Sequence, residues 1–335
     1  MLRVKHYTIP IFIPELACPF QCVFCNQKKI SGQTHIPTGD EITKTIDSHL
    51  RTFRRKNKNV EVGFFGGSFT GIPIDEQKQY LKYVQPYIRL EKVQSIRLST
   101  RPDYITEEIL LMLKKYNVTT IELGAQSFDD EVLKTTRRGH SSHDIVVASE
   151  LILKHGFNLG LQMMVGLPGD TLEKSINTAK RIIESGAHNT RIYPSLVIKD
   201  TLMHNWYNDG KYKPLSLSEA ASWCKIILPM FEQAGIDVLR VGLHPSEGLT
   251  SGDDLIDGPF HSSFKELVLT EIWADILKQA TENIKEEKLE IRVNPKEINY
   301  AIGYKSKNKN ELLSKFRYVM FITDESIAGR GIKIH

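Results

Sequence analysis

Within the first 245 residues, seven short apolar runs alternate with amphipathic stretches of helical period. The runs at 8–16, 59–67, 93–100, 118–127, 157–169, 190–198 and 236–243 are rich in Ile, Val, Leu and Phe and read as strands. The stretches at 41–55, 75–87, 106–116, 129–136, 142–154, 171–186 and 217–235 carry apolar residues at helical spacing. Thr106 stands at a helix-cap position, and Gly186 closes the helix begun at 171. Such alternation calls for parallel strands joined by helical crossovers. Repeated seven times, it predicts an α/β fold that is a full or partial β/α barrel. In that architecture the active site lies at the C-terminal ends of the strands.

The unusual residues collect at those ends: Gly66-Gly67-Ser68, Ser99-Thr100-Arg101, Gly124-Ala125-Gln126-Ser127 and Gly166-Leu167-Pro168-Gly169. Glycines let a ligand approach the backbone, and a few converging polar groups orient a bound molecule. Asp170 or Thr171 is placed to cap the helix after the last of these turns.

Composition changes at 244–262, where Gly, Ser, Asp and Pro replace the alternation. The expected boundary therefore separates a barrel at 1–245 from a small α/β C-terminal domain at 246–335. A helix at 264–281 is followed by a strand (EIRVNP), a helical turn (KEINYAI), a basic loop (GYKSKNKN), a helix (ELLSKF) and a strand (YVMFITD). The net charge of +4 admits an anionic partner without demanding one. No run of 18 apolar residues is present, and Pro10, Pro14 and Glu15 interrupt the apolar start. That start reads as a first strand rather than a signal peptide, and the chain is expected to be cytoplasmic, with no membrane partner.

Three of the four cysteines, Cys18, Cys22 and Cys25, lie within eight residues. Clustered thiols without an export signal favour metal or redox use over a disulfide framework. At this spacing, three thiolates on one loop can face one metal centre. Structural zinc prefers four closed ligands, and the nearest candidate fourth is His35, ten residues beyond Cys25. Cysteine thiolates equally hold iron–sulfur clusters, and three of them leave one iron of a four-iron cluster open to a small molecule. The residues alone leave iron–sulfur and zinc both standing. Cys224, beside Trp223, Ile226 and Ile227, reads as a buried apolar residue.

The string CPFQCVFC at 18–25 resembles the cysteine loop of the radical S-adenosylmethionine (radical SAM) superfamily, and it follows the first strand as that loop does. The resemblance implies a 4Fe-4S cluster on Cys18, Cys22 and Cys25. It further implies S-adenosylmethionine on the open iron, and its cleavage to a 5′-deoxyadenosyl radical. Cofactor-binding roles follow by the same resemblance. Phe24 would lie near the adenine, and the Gly66-Gly67-Ser68 turn would bind the methionyl amino group, with Ser68 where many members have Glu. Ser99, Arg101 and Gln126 would reach the ribose and carboxylate. Arg138 in RRGH is a further carboxylate candidate, and Gly166 and Pro168 would shelve the adenine. No residue is assigned as a catalytic acid or base.

Further strings narrow the resemblance: FFGGSFTGIP, STRPDYI, ELGAQSFDDEVLKTTRRGH, MMVGLPGDT and RIYPSLVIKDTLMHNWYNDGKYKPLS. Together they resemble the radical domain of the Elongator catalytic subunit and its short bacterial relatives. The chain is expected to lack that subunit's acetyltransferase domain. The implied substrate is RNA, with modification of a tRNA base. The alternatives are a small metabolite or tetrapyrrole, and a non-catalytic iron–sulfur or zinc protein. Implied partners are tRNA or another RNA and an electron donor such as flavodoxin or ferredoxin.

The tail resembles an RNA-binding KH module, with Gly303-Tyr304-Lys305-Ser306 in place of its GxxG loop. Lys305, Lys307 and Lys309 would then attract phosphates and Tyr304 would stack on a base. The alternative is a small cap with a solvated basic turn. Tyr193, ending the sixth strand, faces either the barrel mouth or the core. His244 and His261 fall near the substrate side and are given no role.

Overall fold

The apolar runs pair with one another in the order in which they occur. A computed structural model describes residues 5–14, 22–32, 35–54 and 57–334. Its first elements are β1 (Lys5–Ile13), α1 (Gln27–Ser31), α2 (Gly39–Thr52), β2 (Lys58–Gly66), α3 (Ile74–Arg89), β3 (Ser95–Thr100), α4 (Glu107–Lys115) and β4 (Val118–Gln126). There follow α5 (Asp130–Thr135), α6 (Ser142–Lys154), β5 (Asn158–Val165), α7 (Leu172–Glu184), β6 (Asn189–Pro194), β7 (Val197–Ile198), α8 (Leu202–Asn208), α9 (Leu217–Gln233) and β8 (Asp237–Val241). Seven strands form one parallel sheet in the order β1-β2-β3-β4-β5-β6-β8. β1 and β8 are its two edges, so the barrel is partial: a half-barrel with an open side.

Alternate residues of each strand face the helices. Val60, Val62 and Phe64 of β2, Ile96 and Leu98 of β3, and Ile121, Leu123 and Ala125 of β4 are buried in the core that the helices close. Helix starts are fixed locally. Thr38 with Glu41, Ser141 with Asp144 and Ser216 with Glu219 form capping boxes, and Thr106 and Thr171 cap α4 and α7. Thr171, not Asp170, is thus the cap after the Gly166 turn.

Three local expectations change. The run at 190–198 is not one strand: β6 stops at Pro194, which has no N–H to continue a ladder. The next residues form β7, paired antiparallel with β9 (Leu255–Asp257). The stretch at 202–208, read only as a motif, is α8, capped by Thr201. The segment at 244–262 is no bare linker, since it holds α10 (Glu247–Ser251) and β9.

The C-terminal part consists of α11 (Phe264–Thr281), β10 (Lys288–Val293), α12 (Ile298–Ile302), α13 (Lys307–Leu313), β11 (Tyr318–Thr323) and β12 (Ile332–Ile334). The three strands are ordered β11-β10-β12, with β11 parallel and β12 antiparallel to β10. One helix serves both cores. Val268, Leu269 and Ile272 of α11 pack in the barrel core, whereas Trp273 and Leu277 pack with Leu289, Ile291, Val293 and Val319 in the second. Helix α13 begins at Lys307, so Lys307 and Lys309 are helical residues and not loop residues as the sequence suggested. No helix among the described residues is long and apolar enough to cross a membrane.

Candidate active site at the mouth of the half-barrel

β1 ends at Ile13, and Cys22, Val23 and Phe24 pack beside Leu167 of the loop after β5. Cys18 lies outside the described residues. Cys22 is 4% exposed and Cys25 half-buried, and the Cys25 N–H donates to the Cys22 carbonyl at 2.9 Å, closing a turn. Val23 N–H donates to the Thr136 carbonyl (3.1 Å), and Met203 N–H to the Val23 carbonyl (2.8 Å). Cys22, Val23 and Phe24 pack with Val132, Leu167, Val197 and Met203, so α5, α8 and the loop after β5 grip the turn. The missed helix α8 is therefore part of the site.

Two donors point at the sulfurs. Arg138 Nη1 lies 3.1 Å from Cys22 Sγ, and Gln27 Nε2 lies 3.5 Å from Cys25 Sγ. N–H groups aimed at cysteine sulfur suit thiolates that ligate iron. Among the described residues no three metal-ligating side chains gather. His35, the candidate fourth zinc ligand, instead lies 3.0 Å from the Glu41 carboxylate at the start of α2.

The turn after β2 is tied to β1. Gly66 has φ +112°, and a Cβ there would stand 2.4 Å from the Ile13 carbonyl oxygen. Gly67 N–H donates to that same oxygen at 3.0 Å. Ser68 is buried and leads into a single 3₁₀ turn, Phe69–Gly71. A small cavity lined by Ile13, Pro14, Phe65, Gly67 and Ser68 lies at this junction.

The polar strand ends do not all converge. Thr100 turns away from the mouth to bond Thr70 Oγ1 at 2.6 Å, and Ser127 lies against Thr178 of α7. Arg101 is buried and forms a two-point pair with Asp103, 2.9 Å at each contact. Ser99 is half-buried on the opposite face of β3. Gln126 ends β4 with φ +67°, a strained conformation for a non-glycine residue, and its Oε1 accepts from Gln162 Nε2 at 3.2 Å. After β5, Gly166 N–H donates to Asp170 Oδ2 (2.9 Å) and the Tyr212 hydroxyl donates to the Gly166 carbonyl (2.6 Å). Pro168 is buried in this braced loop. Burial pushes the Asp170 carboxyl up to about 6, against the donors Ser175, Gly166 N–H and Thr171 N–H.

Sequence reasoning missed the floor of the site. On the face turned away from the helices, Glu122 accepts from Arg97 Nη1 (2.7 Å) and Arg191 Nε (2.6 Å), and Glu61 accepts from Arg97 Nε (2.9 Å) and Thr8 (2.7 Å). Burial opposes the Glu122 charge, yet Arg191 and Arg97 outweigh it and hold the carboxyl below its ordinary range. Arg191 also lies over the Phe65 ring, 5.4 Å from its centroid. Tyr193 is half-buried on this face; burial raises its phenol pKa, and the neighbouring Arg191 charge opposes the rise. Closed barrels fill their interior with branched apolar residues. This half-barrel carries ion pairs there instead, a rigid polar floor beneath the cysteine turn. The signal was in the sequence: Val-Glu-Val, Ile-Arg-Leu and Ile-Glu-Leu each set one charge at the alternate position of an apolar run.

In the C-terminal part, Gly303 has φ +87°, and Lys305 and Ser306 also have positive φ (51° and 61°). Tyr304 packs edge-on against His261, ring centroids 5.2 Å apart, and its N–H donates to Thr270 Oγ1 (2.8 Å). Lys307 pairs with Glu271, whereas Lys305 lies over the Tyr304 ring.

A one-sided parallel β/α sheet with a cysteine turn at its strand-end mouth defines a class, and the family comparison agrees. The Radical SAM superfamily profile matches residues 13–182, and the Radical SAM C-terminal domain profile matches residues 187–274. The chain belongs to the radical SAM superfamily of enzymes. Within that class it is similar to a tRNA uridine(34) acetyltransferase of Methanocaldococcus infernus, 29% identical over 66% of this chain and 49% of that protein. It is also similar to Elongator complex protein 3 of Saccharomyces cerevisiae, 32% identical over 44% of this chain and 26% of that protein. The solved structure of Methanocaldococcus infernus Elp3 with residues 1–46 deleted superposes with a TM-score of 0.67 at 21% identity, covering 82% of this chain and 64% of that one. The chain spans about half the length of the curated tRNA uridine(34) acetyltransferases it matches.

Proposed function

We propose that this chain is a radical SAM enzyme that modifies a base of tRNA in the cytoplasm. Cys18, Cys22 and Cys25 hold a 4Fe-4S cluster, and S-adenosylmethionine binds beside it along the strand ends. The observation that carries this reading is the Cys22–Cys25 turn, pinned at the mouth with Arg138 and Gln27 donating to its sulfurs. When bound, the cluster supplies the electron that cleaves the sulfonium of S-adenosylmethionine to give a 5′-deoxyadenosyl radical.

The chain's own residues bind and orient. Phe24 is buried beside the turn and offers the adenine a ring. Gly66, Gly67 and Ser68 border the methionyl amino group. Ser99, Arg101 and Gln126 lie along the ribose and carboxylate, and Gly166 and Pro168 form the braced shelf under the adenine. Arg97, Glu122 and Arg191 form the charged floor below, and Tyr193 faces the substrate. The names of the relatives favour RNA. The Gly303–Ser306 turn between α12 and α13, with Lys305 and Lys307, is the phosphate-contacting surface, and a flavodoxin or ferredoxin supplies the electron.

Anaerobic reconstitution tests the chemistry. The expected product is a brown protein that yields 5′-deoxyadenosine from S-adenosylmethionine under reductant, with the yield abolished in Cys22→Ala and Cys25→Ala. A colourless protein holding one tight zinc would sink the reading. The substrate is tested by tRNA affinity, expected to weaken with salt and in Lys305→Ala/Lys307→Ala. Comparing tRNA nucleosides from cells with and without the gene completes the test. Unchanged nucleosides and no salt-sensitive tRNA affinity would replace RNA with a small metabolite or tetrapyrrole.

A further inference from the structure

Two of the chain's three tryptophans line one open groove of about 560 Å³. That volume falls among those of ligand sites, roughly 300–1,000 Å³. Trp206 of α8 and Trp223 of α9 are half-buried there, beside Tyr212 and Pro168. The groove is outside the lumen, since Arg97, Glu122 and Arg191 of the charged floor do not line it. It still adjoins the cysteine turn. Trp206 packs against the apolar group that contains Cys22, Val23 and Phe24, and the Tyr212 hydroxyl ties the groove to the Gly166 carbonyl just past β5.

Lys211 and Lys213 line the same groove and are exposed. Among the described residues no carboxylate stands within 4.0 Å of the Lys213 ammonium. Glu219 feels its charge but is held in the Ser216 capping box. Lys211 meets Asp209 at 2.8 Å, an exposed pair that is worth little and readily exchanged. The carboxylate in the groove lining is Asp170, and its oxygens accept from Gly166 N–H, Thr171 N–H and the Ser175 hydroxyl. The groove therefore sets indole rings beside available positive charge, with its acid already satisfied.

Single-stranded nucleic acid is held by that combination: bases stack on aromatic rings, and lysines attract the phosphates. An apolar ligand would leave both lysines unused. We propose that this groove binds an unpaired nucleotide of the substrate RNA, one that flanks the nucleotide at the barrel mouth. Its base lies on Trp206 and Trp223, and its phosphate meets Lys213 and Lys211. The nucleotide is unpaired because a duplex covers the base faces with their neighbours. This rests on the RNA reading above and adds a contact on the barrel, separate from the Gly303–Ser306 turn.

The test is tryptophan fluorescence of the reconstituted full chain, titrated with tRNA and with an oligouridylate of about ten nucleotides. Trp273, the third tryptophan, is fully buried in the C-terminal core, so quenching reports on the groove. Both RNAs are expected to quench the parent. Trp223→Leu should weaken the affinity about tenfold. Lys213→Glu, an exposed change that leaves the core intact, should weaken it by a similar factor and is decisive if Trp223→Leu fails to fold. Lys213→Ala should lower the slope of log affinity against log salt by about 0.7, the share of one phosphate contact. A parent that binds tRNA without quenching, with the same affinity in Lys213→Glu, would overturn the inference and leave the RNA reading in place. A parent with no affinity for either RNA would remove the RNA reading itself, and the inference with it.

Discussion

Strand β10 and the barrel strands use the same residue alternation under opposite conditions. In β10, Leu289, Ile291 and Val293 are fully buried against the C-terminal helices, and Glu290 and Arg292 between them pair on the solvated face. In β2, β3 and β4, Val60, Ile96 and Ile121 are buried in the same way, yet the charged residues between the apolar ones are also enclosed, Glu61 at 2% and Glu122 at 4% exposure. The small sheet leaves its polar face partly in water. The large one curls over its own polar face. An ion pair that is nearly neutral for stability in the first setting must be fully matched in the second. The comparison teaches that curvature, not residue choice, turns a surface pattern into a functional interior.

The largest expected effect tests the enclosed side. Glu122→Ala leaves Arg97 and Arg191 buried without their shared carboxylate and should destabilise the holoenzyme by about 3–5 kcal/mol in chemical denaturation. A loss below about 1 kcal/mol would mean that water reaches the lumen, and the contrast with β10 would break. The next effect is a pH dependence. His140 has a folded pKa of about 3, below its ordinary 6.5. The unfolded chain therefore binds more protons in that window, so stability from the neutral ring is present above pH 6.5 and is lost as pH falls toward 3. His140→Gln should flatten the slope of stability against pH between these values, by a total of about 3 kcal/mol after allowing for partial burial. Identical slopes would show that burial and the Arg138 and Arg101 charges do not hold the His140 ring neutral. The smallest effect belongs to the solvated side: Glu290→Ala should change stability by about 0–1 kcal/mol and less at high salt. A larger loss there would erase the distinction between the two faces.

Much of the fold was legible because it depends on local periodicity. The helices at 142–154 and 264–281 fall where the apolar spacing puts them, and Thr106 caps α4 as its position indicates. The parallel barrel followed from the order of the elements, and its partial closure did not, since whether β8 meets β1 depends on sheet curvature. The missed pieces are non-local or short. β7 pairs with β9 more than fifty residues away, and each is too brief to carry a periodic signal. Within the site, Phe24 packs in the cysteine turn, the Gly66 turn is tied to the end of β1, and the Gly166 loop is braced by Asp170. Thr100 and Ser127 do not face the mouth, because the strand register turns them into the helix layer.

By itself, the sequence determined that this chain alternates strand and helix, gathers three cysteines after its first strand, and places glycine and polar residues where the strands end. These are properties of neighbours along the chain, set by backbone geometry and side-chain periodicity. Only the tertiary structure decided which polar residues meet. Arg138 reaches Cys22 across 116 positions, and Arg97 joins Glu61 to Glu122 across three strands. Such contacts depend on sheet register and curl, which long-range packing sets and no local pattern encodes.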